Sequence, residues 1–385
     1  MKAMKVKINH EVLKWARESL NISKNEVIIK LNRKTITEYN LDNWENGLEL
    51  IDINTAKKLA KLYGISLAVL YMPHIPKNIQ PEIRDLRQIK GAFSKNSILL
   101  MRKLVGHYEW VREYLINENK IELDFVGMVS INDSIEHPLS IFKNMLEIKI
   151  NFSKDSEYNF KKIVNELEKN NIFISIANSY NCNHHYKVPV EEIRGFAIAD
   201  KIAPFIFVNL SDSNNAKLFT LIHELTHILL GETGISNLYF NYKVIQNNIE
   251  SYCNKVASEF LMPSQIFRDL WANNNKNNLE DKIEYISIKL PVSKLAVLVK
   301  AKTLNYINDN IIFDNLFNKF SEIKYNNSYK KNGFPNPNLL IKNLNTKMFS
   351  NYVLKAYNNN NITLKDVCNL LSIKPYRFQK YIEKV

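Results

Sequence analysis

Phe219-Thr-Leu-Ile-His223-Glu224-Leu-Thr-His227-Ile-Leu-Leu-Gly231 is the stretch from which the rest of the chain can be read. Leu221, Ile222, Leu225, Ile228, Leu229 and Leu230 supply apolar surface, so the segment predicts a buried helix. Gly231 follows the last apolar residue, where a helix end calls for a left-handed residue. His223 and His227 are four apart and project from one face, one turn above the other. Two imidazoles so placed can share one tetrahedral metal ion at about 2.0–2.1 Å each. Glu224 lies about a hundred degrees round the helix, too far off that face to bind the same ion comfortably. It can instead reach a water in the ion's open position.

By composition alone, such a His-Glu-x-x-His match arises in roughly one chain in a hundred of this length. Most accidents of that kind fall on polar surface helices as solvated ion pairs. Here the histidines interrupt an apolar helix, where two unpaired imidazoles would be costly to bury. A metal resolves that cost. With Glu224 as general base, the pattern is that of metal-assisted peptide hydrolysis.

Catalytic zinc usually takes three protein ligands and leaves one position open. Downstream lies Ile249-Glu250-Ser-Tyr-Cys253-Asn254-Lys-Val-Ala257-Ser-Glu259-Phe260-Leu261-Met262-Pro263. Ile249, Cys253, Val256, Ala257 and Phe260 make a helical apolar stripe that Pro263 ends. Glu250 lies beside that stripe and can point into the same core as the histidines. On spacing alone, it competes with a surface carboxylate near a helix N-terminus. Glu259 faces differently and is the weaker candidate. Cys253 reads as a buried structural thiol.

His223-Glu-Leu-Thr-His227 with Glu250-x-x-Cys-Asn254-x-x-Ala257-x-x-Phe-Leu-Met-Pro263 resembles the ImmA/IrrE family of metallopeptidases. Arg194-Gly195-Phe196-Ala197-Ile198-Ala199-Asp200 and Pro204-Phe-Ile-Phe-Val-Asn209 resemble the strand pair that precedes the zinc helix there. The resemblance implies a zincin-like domain with His223, His227 and Glu250 as metal ligands and Glu224 as general base. It implies Zn2+, or another divalent ion such as Mn2+, as cofactor. The substrate it implies is a repressor-like regulatory protein.

With 385 residues and 45% hydrophobic composition, the chain can build two or three domains with sizeable cores. The fold class expected is α+β and mostly helical, divided at 1–76, 77–150, 151–312 and 313–385. A formal net charge of +13 points to an anionic partner without naming it. Cys182, Cys253 and Cys368 are odd in number and widely spaced, which argues against a disulfide framework. No secretory signal and no membrane-spanning run is read, so the expected location is cytoplasmic, away from the membrane.

Residues 8–76 read as five short helices: one bearing Val12, Leu13 and Ala16, then Val27–Leu31 behind a Ser23–Glu26 capping box. Thr37 to Asn46, Thr55 to Tyr63 and Leu67 to Tyr71 complete the set. Trp44-Glu45-Asn46-Gly47 and Leu59-Ala60-Lys61-Leu62-Tyr63 resemble an XRE-type helix-turn-helix domain, which implies DNA binding and transcriptional regulation. The departures matter. The Asn32–Ile36 connection is longer than the usual tight turn. The expected recognition helix offers Thr37, Glu38, Asn40, Asp42 and Asn43, with two acids and no Arg or Lys. Protein docking, including homodimerisation, therefore stands beside DNA reading for residues 1–76.

Ile83-Arg84-Asp85-Leu86-Arg87 resembles an Asp-Phe-Arg-like segment of relatives. Long helices are expected over Ser97–Asn117 and Ser156–Asn170. A strand is expected over Ile172–Ala177, and a hairpin between Phe196–Ala199 and Phe205–Leu210. Phe205–Asn209 is the strand expected to pair with an extended substrate by edge addition. Cys182-Asn-His184-His185 is too crowded for a closed metal site and reads as a mobile polar loop. Tyr239, Tyr242 and Tyr252 are candidate oxyanion donors near the motif. Residues 331–385 hold 9 Lys/Arg against 2 Asp/Glu. This basic helical tail is expected either to cover the domain as a solvated lid or to contact nucleic acid.

The expectation is thus a zinc-dependent metallopeptidase coupled to transcriptional regulation. The competing class is a DNA-binding, antitoxin-like regulator whose metallopeptidase fold serves as sensor or scaffold.

Overall fold

The structure, a computed structural model, describes residues 4–33, 35–76, 93–236, 248–276, 278–327 and 336–383. The segment 83–87 and both Tyr239 and Tyr242 lie outside the described residues. The chain divides into two compact units, one of Met1–Gly106 with Ser179–Val188 and one of the remainder.

The first unit opens with β1 (Lys5–Val6), followed by α1 (His10–Glu18), α2 (Lys24–Leu31) and α3 (Glu38–Glu45). Next, β2 (Ile51–Asp52) pairs antiparallel with β1, and α4 (Ile53–Tyr63) leads to a 3-10 turn at Leu67–Tyr71. The two-stranded ribbon was not anticipated, because two residues per strand leave no alternation to read. The capping box forms as expected: Ser23 Oγ accepts from the Glu26 amide and the Glu26 carboxylate accepts from the Ser23 amide. Val12, Leu13, Ala16, Leu41, Leu59 and Tyr63 are all inaccessible to solvent and form the core. One ion pair lies inside it, with Arg17 donating to both oxygens of Glu45 at 2.7 and 2.9 Å.

The helix α5 (Lys95–Asn117) contains the boundary between the units. In the second unit come α6 (Glu136–Asn144), α7 (Ser156–Lys169), β3 (Phe173–Ala177), β4 (Gly195–Ile198) and β5 (Phe205–Asn209). They lead to α8 (Asn214–Leu230), β6 (Gly234–Ser236) and α9 (Asn248–Leu261). The sheet order is β3-β5-β4-β6, with β3 parallel to β5 and β4 antiparallel to both β5 and β6. The expected hairpin is present, with Phe196 opposite Phe207 and Ile198 opposite Phe205.

The expectation for the substrate-pairing strand is corrected here. β5 lies between β3 and β4 and has both edges hydrogen-bonded, so it cannot add a further strand. Its residues are all buried, which a doubly paired strand shares with an apolar edge strand, and the sequence could not separate the two.

Further helices follow: α10 (Ser264–Ala272), α11 (Leu279–Lys289), α12 (Lys294–Thr303) and α13 (Asn310–Asn327). The chain ends with α14 (Pro337–Asn345), α15 (Lys347–Asn358), α16 (Leu364–Leu370), a 3-10 turn at Pro375–Arg377 and α17 (Phe378–Ile382). The α14–α15 junction closes the β3 edge. Thr346 Oγ1 donates to the Ile174 carbonyl at 2.9 Å, and Ser175 Oγ donates to the Leu344 carbonyl at 2.8 Å. A strand edge that would template unwanted pairing is thereby covered.

Candidate metal centre

Ser213 opens α8 by accepting the Ala216 amide, and Gly231 closes it in the left-handed region at φ +71°. Its last carbonyls are not left open. Gly127 and Val129 donate their amides to Ile228 and Leu229 at 3.1 and 2.9 Å. This fixes the pitch of a helix whose middle carries the motif. His223, Glu224 and His227 are at most 2% exposed. α8 lies against β4 and β5 and touches α7 and α9.

α9 brings Glu250 to the histidines. Glu250 Oε2 lies 3.2 Å from His223 Nε2, and its Oε1 lies 3.2 Å from His227 Nε2. The two Nε2 atoms are themselves 3.1 Å apart. The two imidazole nitrogens thus lie close together, with one carboxylate oxygen against each. Bond lengths of about 2.0–2.1 Å in tetrahedral geometry place neighbouring donors about 3.3 Å apart, which is the spacing of these contacts. Two imidazoles and a carboxylate also form the His2Glu donor set of catalytic zinc sites.

The electrostatics favour the same use. Burial pushes the His223 imidazole below its usual value, toward the neutral form that can ligate. Burial alone would raise the Glu250 carboxyl, but hydrogen bonds from His223 and His227 hold it far below the usual carboxylate range. Cys253 competes for the third place, since its sulfur and the imidazole nitrogens lie within 4.8 Å of one another. Its thiol is pushed strongly upward by burial and by the charges of Glu250 and Glu224, which opposes a thiolate there. Glu250 is the better donor on both distance and charge. Asn254, one turn after Glu250, favours the charged form of His223. Asn254 Oδ1 and His223 Nδ1 are nonetheless both buried without a well-formed hydrogen bond.

Gly195 is a residue of this site that carried no sequence signal of its own. A Cβ added there would stand 2.5 Å from Thr220 Cγ2 and 2.9 Å from both Glu224 Oε1 and the Phe207 carbonyl. Only a residue without a side chain lets the Glu224 carboxylate lie against β4.

Other candidates resolve differently. Glu259 accepts from the Ser264 amide and hydroxyl, each at 2.7 Å, and pairs with Lys300, so it ties α9 to α10 and α12. Tyr252 is buried, with its hydroxyl 3.5 Å from the Ser134 carbonyl, and burial pushes it up to about 12. Cys182 sits in one of two short 3-10 turns, Tyr180–Cys182 and His184–Tyr186. Burial pushes its thiol up to about 11. Among the described residues, no metal cluster forms there.

Residues 171–302 match the family model of the IrrE N-terminal-like domain, peptidase family M78. That span runs from β3 to α12 and contains both α8 and α9, the helices that carry His223, His227 and Glu250. The match supports a metallopeptidase-type domain of the IrrE and ImmA kind. It covers about a third of the chain and leaves both ends outside. No curated protein and no solved structure matches the chain. Among the described residues, no helix is long and apolar enough to cross a membrane.

Proposed function

We infer that this protein is a metal-dependent endopeptidase whose ion is held by His223, His227 and Glu250. The observation that carries the reading is the convergence of His223, His227 and Glu250 at 3.1–3.2 Å, with both imidazoles and Glu224 buried. Zinc suits two imidazoles and a carboxylate better than Mn2+, which favours more oxygen donors. Such an ion supplies Lewis acidity, polarising a peptide carbonyl and bringing the pKa of water toward neutrality. Glu224 takes the proton from the attacking water and returns it to the departing amine. Gly195 lets that carboxylate sit where it does, and Glu250 keeps its charge through the two imidazoles. An extended substrate would pair with the outer edge of β6, which has a single partner among the described residues.

The resemblance points to a repressor-like protein as substrate. For residues 1–76, the engagement of α3 favours protein docking over base reading. Its Asp42 pairs with Lys24, its Asn43 donates to Glu49 and its Glu45 pairs with Arg17, so Asp42 and Asn43 of the expected base-reading set are engaged within the unit. Zinc dependence, a cytoplasmic location and regulatory coupling belong to the same proposal.

Glu224→Gln tests it. The variant keeps shape and touches none of the three ligands, so folding and metal content should match the parent. Peptide hydrolysis should fall by about 10²–10⁴-fold, the usual cost of losing a general base. Unchanged hydrolysis would remove Glu224 from the mechanism.

A further inference from the structure

Beyond the peptidase, the C-terminal end of the second unit holds a second reading device. We propose that α16 and α17 form a helix-turn-helix pair that docks in the major groove of double-stranded DNA, with α17 as the inserted element.

The local chemistry builds this shape. Thr363 and Asp366 form a capping box that starts α16. The chain then reverses over four residues, Leu371 to Lys374, with Ser372 in the left-handed region at φ +55°. The Ile373 amide reaches back to the Cys368 carbonyl at 3.1 Å, closing α16 with the six-residue bond of a Schellman end. Pro375 starts the next helical segment, which needs no amide at that place. A short turn of this kind between two helices is the connection that defines the motif.

The inner side is packed. Val367, Cys368, Leu371 and Ile373 are at most 7% exposed. Phe378 meets the Tyr357 ring edge-on at 5.3 Å, and the Tyr381 and Ser350 hydroxyls are 2.7 Å apart. Both contacts fasten α17 to α15, which serves as the supporting third helix.

The outer side is exposed and basic. Lys374, Tyr376, Arg377, Gln379 and Lys380 all face solvent, and Tyr376 is 72% exposed. Lys374 and Arg377 both lie over the Tyr376 ring, at 5.8 and 5.7 Å from its centroid. Of the carboxylates of the pair, Asp366 is held by Thr363, and Glu383 caps the C-terminal end of α17. Arg377, at the end of the 3-10 turn that leads into α17, and Gln379 within α17 suit base edges, while Lys and Tyr suit flanking phosphates. α3 in the first unit carries no Lys or Arg, whereas the outer side of this pair does. A duplex is favoured over single-stranded RNA, whose recognition relies on several stacking platforms rather than one exposed ring.

The test uses the full chain and fluorescence anisotropy with a random-sequence duplex, followed by selection from a randomised duplex pool. Lys374→Ala/Arg377→Ala/Lys380→Ala should weaken duplex binding at least about ten-fold and reduce the salt slope by about two to three. Lys57→Ala/Lys58→Ala/Lys61→Ala on α4 removes equal charge and should leave binding within about two-fold. Ser372→Gly should bind as the parent does, whereas Ser372→Val, strained at positive φ, should lose binding. Thermal midpoint and metal content confirm that each variant is folded. The proposal is overturned if the unsubstituted chain fails to bind the duplex or prefers single-stranded RNA. It is equally overturned if the α4 variant loses binding while the C-terminal variant keeps it.

Discussion

Arg17 with Glu45 in the first unit is a polar constellation buried in an apolar core, and His223 with His227 and the half-buried Glu250 in the second is one set at the edge of such a core. They differ in how they are satisfied. The Arg17 guanidinium gives two hydrogen bonds to the Glu45 carboxylate and a third to the Ile22 carbonyl at 3.2 Å. Donors meet acceptors there, and burial lowers the Arg17 charge less than the hydrogen bonds to Glu45 raise it. In the second unit, two imidazoles and a carboxylate approach one another at 3.1–3.2 Å, with Asn254 Oδ1 and His223 Nδ1 left without a well-formed hydrogen bond. A pair that closes on itself is architecture, whereas two imidazoles and a carboxylate brought together suit a divalent cation.

That contrast can be broken by experiment, and the largest effect should come from the site. His223→Ala should lose most of about one equivalent of bound divalent metal and all measurable peptidase activity. Elemental analysis decides it: full metal retention in His223→Ala/His227→Ala would place the ion elsewhere. Cys253→Ala sharpens the choice of third ligand, because metal content should stay near one equivalent if Glu250 binds.

Glu45→Ala should come next, destabilising the first unit by about 3–5 kcal/mol by leaving a buried guanidinium uncompensated. Arg17→Met/Glu45→Leu should recover most of that loss in denaturant unfolding, as expected of a pair that is architectural. No comparable double replacement at His223 and Glu250 should restore activity.

Gly195→Ala should cost about 1–3 kcal/mol through overpacking against Thr220 and Phe207. Metal content should persist while hydrolysis falls, because the added Cβ displaces Glu224 and none of the ligands. Equal activity in the variant would separate Gly195 from the general base.

The smallest effect concerns acid. Burial would raise the Asp200 carboxyl, yet Arg112 and the amides of Ala203 and Ile202 hold it below the ordinary value. The unfolded chain therefore takes up this proton first, and the stability it contributes is lost as pH falls below about 4. Asp200→Asn should flatten the acid limb of stability against pH and leave the neutral plateau slightly lower.

Much of the second unit was legible because local rules and tertiary use agree. His223 and His227 share a face at any helical spacing of four, and Gly231 marks the end of its helix wherever that helix packs. In the first unit, the capping box at Ser23–Glu26 is satisfied within four residues, so nothing distant can overrule it. The edge strand was misread for the opposite reason. Which neighbour a strand takes is a non-local choice, and the apolar run of β5 is compatible with either position.

The sequence by itself determined the residue types and helical phases of the site: two imidazoles on one face, a carboxylate beside them, and a second helix with Glu250 near its start. It also determined where 9 basic residues against 2 acidic ones would accumulate. Tertiary structure alone decided how closely Glu250 approaches the histidines, that Gly195 must lack a side chain, and that the basic tail folds into a packed helix pair with an open outer face. These outcomes depend on which surfaces approach within a few ångströms. Such approach is set by the packing of segments far apart in the chain, which no short window of residues contains.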